Sequence, residues 1–136
     1  MLRLKTRPQF QAVLAGKTLA RTPHFALHVT VPAVLLGLKP GSSSVDLFPS
    51  VGVWLGAMVP KRWAKRAVTR NAIKRQIYNV SAEFESSLQP TAHLVRLRSG
   101  FDRTQFVSAT SESLKAAVRV ELMQLFTSAA ARSVTP

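Results

Sequence analysis

The sequence predicts one small α+β domain, a mixed sheet of about four strands with helices packed on it. Three observations lead there. The 136 residues suit one core and one domain over 1–136. Stretches with a two-residue apolar period alternate with stretches of helical period. A strand–helix–strand unit lies in the middle of the chain, which favours helices layered on a sheet.

Residues 6–16 (TRPQFQAVLAG) read as a short first helix. Thr6 or Arg7 can cap it, Pro8 suits its first turn and Gly16 its exit. Residues 23–31 alternate as a strand. Phe25, Leu27 and Val29 point one way; His24, Ala26, His28 and Thr30 point the other. Three prolines, two glycines and a serine run make 32–50 a long surface loop, with room for a short strand near Val34–Leu36.

Residues 51–59 (VGVWLGAMV) are apolar on both faces, which places that strand centrally, and Pro60 ends it. The spacing of Ile73, Ile77, Val80 and Phe84 predicts a helix over about 65–87 with one buried stripe. Residues 92–98 form a further strand before a turn at Ser99-Gly100. Leu114, Val118, Leu122 and Leu125 mark a last helix over about 111–127, and the Ala/Ser-rich tail 128–136 is expected to be frayed and disordered.

The charge is extreme and uneven. The net charge is +13. Residues 1–82 hold 13 of the 19 Lys and Arg and a single acid, Asp46. A polyanionic partner is the direct implication: RNA, DNA or an anionic membrane. The absence of cysteine excludes disulfides, thiolate metal sites and Cys nucleophiles. No apolar run reaches the ~18 residues of a membrane span, and the start MLRLKTRPQF lacks a signal-peptide core. Pro8 and the quick entry into a strand argue against a mitochondrial presequence.

The charge concentrates in 61–75, KRWAKRAVTRNAIKR, where seven of fifteen residues are basic and none is acidic. On a helical wheel Arg70, Asn71, Lys74 and Arg75 form a polar arc beside the Ile73 stripe. Lys61, Arg62, Lys65 and Arg66 gather at the helix entrance. Cations are unfavourable there, because a helix N-terminus is itself partly positive. A phosphate backbone would remove the repulsion and use the exposed helix N–H groups.

This run resembles the signature of the bacterial ribonuclease P protein subunit, close to K-K-x-x-x-R-A-x-x-R-N-R-I-K-R. Lys61, Arg62, Arg66, Ala67, Arg70, Asn71, Ile73, Lys74 and Arg75 match it. Ala72 stands where the family usually has a third base, and Trp63-Ala64 replaces a shorter or Gly-containing turn. RLKTRPQFQAVLAGK, PHFALHV, VGVWLGAMVPKR, AHLVRLRSG and SESLKAAVRVELMQLF follow the family in order.

The resemblance implies a ribosomal-protein-like fold with a left-handed strand–helix–strand crossover. It implies two partners, the catalytic RNA of ribonuclease P, bound one to one, and precursor tRNA, whose 5′ leader the complex removes in the bacterial cytoplasm. Neither a membrane nor DNA is expected as a partner. The implied RNA-binding set is Lys61, Arg62, Lys65, Arg66, Arg70, Asn71, Lys74 and Arg75. A cleft between the first helix and the sheet would receive the leader. Arg7, Phe10, Phe25 and His28 are its candidates, with Lys61 also available for phosphate. Phe10 and Phe25 suit base stacking or the core equally, and the opposite parity of Phe25 and His28 forbids both from facing one cleft. His24 and His93 read as structural.

Catalysis by the chain itself is not expected. Metal-dependent nucleases need clustered carboxylates, and six acids are scattered over this sequence. No cofactor is expected on protein side chains; Mg²⁺ would act through the RNA. A ribosomal or other structural RNA-binding protein would explain the charge but not the ordered signature. A DNA-binding module finds no helix-turn-helix.

Overall fold

The computed structural model describes residues 2–30, 52–88, 91–100 and 112–134. The loop 32–50, with the strand expected near 34–36, lies outside the described residues. The elements run β1 (Leu2–Arg3), α1 (Arg7–Leu14), β2 (Lys17–Arg21), β3 (Phe25–Thr30), β4 (Trp54–Met58), α2 (Ala67–Glu83), β5 (Ala92–Leu97) and α3 (Glu112–Val134). A 3₁₀ turn, Glu85–Ser87, follows α2.

Among the described residues the sheet has five strands, in the order β1-β4-β5-β3-β2. β4 runs parallel to both β1 and β5, while β3 is antiparallel to β5 and to β2. The mixed sheet is as expected, and β4 is interior as its two apolar faces require. β1 and β2 exceed the expected count. β1 has two residues, and β2 is an edge strand broken by a register shift between Thr18 and Ala20. β1 is too short to show a period-two pattern, and the register shift breaks the alternation of β2.

Each face of the sheet has its own core. Phe25, Leu27, Leu55, Ala57, Val95 and Leu97 point to one side, where α2 and α3 cover them with Ile73, Ile77, Val80, Leu122 and Phe126. Trp54, Ala92 and Leu94 point to the other, where α1 covers them with Phe10 and Val13, joined by Leu4. Among the described residues, the α1 face is thus covered by one helix of eight residues.

Local chemistry explains most boundaries. Thr6 and Gln9 form a reciprocal capping box on α1, with Pro8 in the first turn. Gln9 Oε1 accepts from the N–H groups of Lys5 and Thr6. α2 is shorter than the expected 65–87. Arg66 is extended and caps nothing, and the chain tightens to 3₁₀ at Glu85. Phe84 leaves the helix but stays half-buried, stacked on Phe126 with ring centroids 5.8 Å apart.

α3 is longer than expected and corrects the reading of the tail. It continues to Val134, and Ala129 is fully buried in the core. Small side chains there allow close packing.

Candidate nucleic-acid interface

The basic segment begins with a tight turn after β4. The N–H groups of Trp63 and Ala64 both donate to the Pro60 carbonyl, at 3.1 and 3.2 Å. Ala64 is buried and ties the turn to the core. Gly100 abuts the same turn: a Cβ there would lie 3.0 Å from the Trp63 carbonyl oxygen. Lys61, Arg62, Lys65 and Arg66 are all exposed on this turn. Trp63 is 37% exposed among them, and the Arg62 guanidinium lies over its ring at 5.3 Å.

α2 then starts with no acid in its first turn and no side-chain cap. Its stripe of Ile73, Ile77 and Val80 is buried as predicted. Asn71 and Arg75 are exposed, and Arg70 and Lys74 half-buried. The structure therefore brings all eight predicted RNA-binding residues onto one turn and one helix. Among the described residues, none of the seven cations pairs with a carboxylate. Three of the described acids are engaged elsewhere. Glu121 of α3 receives the Thr22 hydroxyl and both the backbone and ring nitrogens of His24, Glu83 pairs with Arg119, and Glu112 with Lys115.

Arg70 has a second role. Its Nη1 donates to the carbonyls of Ala64 at 3.0 Å and Lys65 at 2.8 Å, so it holds the entrance turn. The wheel alone assigns it to solvent or RNA. Arg70→Ala should speed amide hydrogen exchange in 61–66 and cost about 1–2 kcal/mol of stability. Lys74→Ala, with no such contact, should leave both unchanged. Hydrogen exchange with a melting curve checks both.

The cleft candidates divide. Arg7 is exposed on the first turn of α1. Phe10 is half-buried against the α1-side core, close enough that a Cβ on Gly56 would meet its ring at 2.8 Å. His28 faces the same side. Phe25 does not: it is 0% exposed in the α2–α3 core, so strand parity removes it from the cleft.

A model of the ribonuclease P family matches residues 1–121. The chain belongs to the ribonuclease P protein family. The ribonuclease P protein component of Ralstonia pickettii is 32% identical over 124 residues, covering 91% of this chain and 76% of that one. The Bordetella petrii component is 32% identical over 120 residues, with 88% and 85% coverage. The Staphylococcus aureus RNase P protein has a similar fold at 17% identity, with a TM-score of 0.64 and 93% and 94% coverage.

Within this family pattern the position of Ala72 now has a packing context. It faces the seam between α2 and α3, in a shallow groove with Ile73, Gln76, Leu114, Lys115 and Val118. A small side chain suits that seam.

Two details correct or extend the sequence reading. His28, a cleft candidate, is buried, at 6% exposure. Arg96 was missed. Its register partners are Ala26 and Met58, and strand parity with Leu94 puts it on the α1 face. That parity is readable once β5 is placed.

His28 and His93 share an electrostatic property. Burial lowers the pKa of both below the usual 6.5, and the charges of Arg96 and Arg21 lower His28 further. His93 is neutral and satisfied between the Trp54 carbonyl and the Thr91 hydroxyl. His24 is also engaged structurally, on Glu121. Because the unfolded chain takes up protons on residues 28 and 93 first, stability is full above about pH 6.5 and falls as pH drops below it. The slope should reach at most about 1.4 kcal/mol per pH unit for each residue. Urea unfolding between pH 7.5 and 5 checks this, and His93→Gln should flatten the slope.

Proposed function

We propose that this chain is the RNA-binding subunit of a bacterial, cytoplasmic ribonuclease P, assisting a catalytic RNA in removing the 5′ leader from precursor tRNA. One observation carries the reading: seven clustered cations that pair with no carboxylate among the described residues, on a turn tied to the core and the helix that follows it. Structural cations would be paired or dispersed. These are assembled at a helix N-terminus that itself favours anions.

Lys61, Arg62, Lys65 and Arg66 would meet phosphates of the catalytic RNA at the turn, and Asn71, Lys74 and Arg75 along α2. Arg70 would add charge while keeping the turn in shape. The α1 face, with Arg7 and Phe10 at hand, would receive the single-stranded leader. A half-buried ring offers stacking that tolerates any base.

The protein's part is then electrostatic and positional. Bond cleavage and its Mg²⁺ belong to the RNA. The carboxylates described above are dispersed, each on its own partner, which suits that division of labour. The test is reconstitution with a bacterial ribonuclease P RNA and a precursor tRNA. The chain should restore efficient leader removal at physiological Mg²⁺; failure to stimulate cleavage would overturn the reading.

A further inference from the structure

On the α1 face, three polar side chains from three strands form a chain. Arg96 of β5 donates through Nε to His28 Nε2 of β3 at 3.2 Å. Arginine has no acceptor, so His28 Nε2 must accept. The ring proton then sits on Nδ1, which donates to the Thr18 hydroxyl of β2 at 3.2 Å. This is the neutral tautomer, in keeping with the burial of the ring.

The arrangement tethers an arginine without neutralising it. Arg119 meets Glu83 at 2.7 Å. Among the described residues Arg96 meets only a neutral imidazole, and its two η nitrogens have no partner there. It is half-buried beside Met58 and Ala26, on an inner strand. Fixing Nε leaves the Nη1–Nη2 edge as a planar fork, the geometry that grips a phosphate with two parallel hydrogen bonds. A tether at Nε also reduces the side-chain entropy lost on binding.

We propose that Arg96 binds a phosphodiester of the single-stranded leader, and that His28, held by Thr18, is the positioning residue that aims it. This rests on the reading that the α1 face receives the leader. It goes further by naming the cation that the leader backbone meets.

The same phosphate chemistry could come from the catalytic RNA, and leader length separates the two sources. Binding would be measured on the reconstituted complex with two precursor tRNAs, one with a single-nucleotide leader and one whose leader spans the sheet. Arg96→Met should weaken binding of the long-leader precursor about tenfold or more and leave the short one unchanged. Arg96→Lys keeps the charge but loses the fork, and should fall between Met and wild type. His28→Ala should weaken long-leader binding, while His28→Gln, whose Oε1 can still accept from Nε, should recover it.

Equal losses on both precursors would assign Arg96 to the catalytic RNA or to the fold, and overturn the inference. So would no loss on either. If the wild-type complex itself bound both precursors equally, the leader cleft would fail together with the inference. A wild-type preference for the long leader that survives Arg96→Met and Arg96→Lys would overturn only the role of Arg96.

Discussion

Replacing Lys61, Arg62, Lys65 and Arg66 together by Gln should reduce affinity for ribonuclease P RNA by about 10²–10³ at 0.15 M salt. All four side chains are exposed on one turn, and none has a carboxylate partner among the described residues. Each phosphate contact releases about 0.7–0.9 counterion. Losing four should flatten the slope of log affinity against log salt by roughly three. The fold should not suffer. These cations repel one another at the positive end of α2, so their removal should leave the melting temperature unchanged or slightly raise it. Filter binding across a salt series and a melting curve read both effects. A large affinity loss with an unchanged salt slope would mean that the turn had collapsed instead.

Gly16→Ala should destabilise the fold by about 3 kcal/mol or more, lowering the melting temperature by roughly 10 °C. The reason is not a turn conformation, because Gly16 has no positive φ. Its α-carbon lies against β3. A Cβ would sit 2.1 Å from the Val29 carbonyl oxygen and 3.1 Å from that of Val13. Both obstacles are backbone, so no side chain can rotate away. The strand pair Lys17↔Val29 would have to separate where α1 hands over to β2. RNA affinity of the remaining folded protein should be unchanged, since the basic turn is elsewhere. Calorimetry checks the first statement, and binding at low temperature the second.

What the sequence revealed followed from periodicity. The Ile73–Ile77–Val80 stripe, the two-faced apolar β4 and the alternation of β3 each follow from one face meeting a core. The basic cluster was legible because charge without counter-charge needs no structure to be noticed. What escaped depended on contacts distant in sequence. β1 is too short to carry a pattern, β2 is interrupted by its register shift, and both exist because β4 and β3 offer them partners. The tail continues α3 because Ala129 meets the core, which composition does not show. Arg70 looked like another exposed cation until its two carbonyls were in place. Phe25 and His28 needed the two sheet faces to be told apart. Gly16 suited a helix exit, but its necessity comes from a strand across the sheet edge.

In the proposed function this chain supplies positive charge to an RNA that does the cutting. The most direct measurement is the Mg²⁺ dependence of leader cleavage by a bacterial ribonuclease P RNA, with and without the protein. On that reading the protein should shift the curve to markedly lower Mg²⁺, because its cations would neutralise phosphates where the two RNAs meet. The fourfold Gln variant should lose most of that shift. Superimposable curves with and without the protein would contradict it.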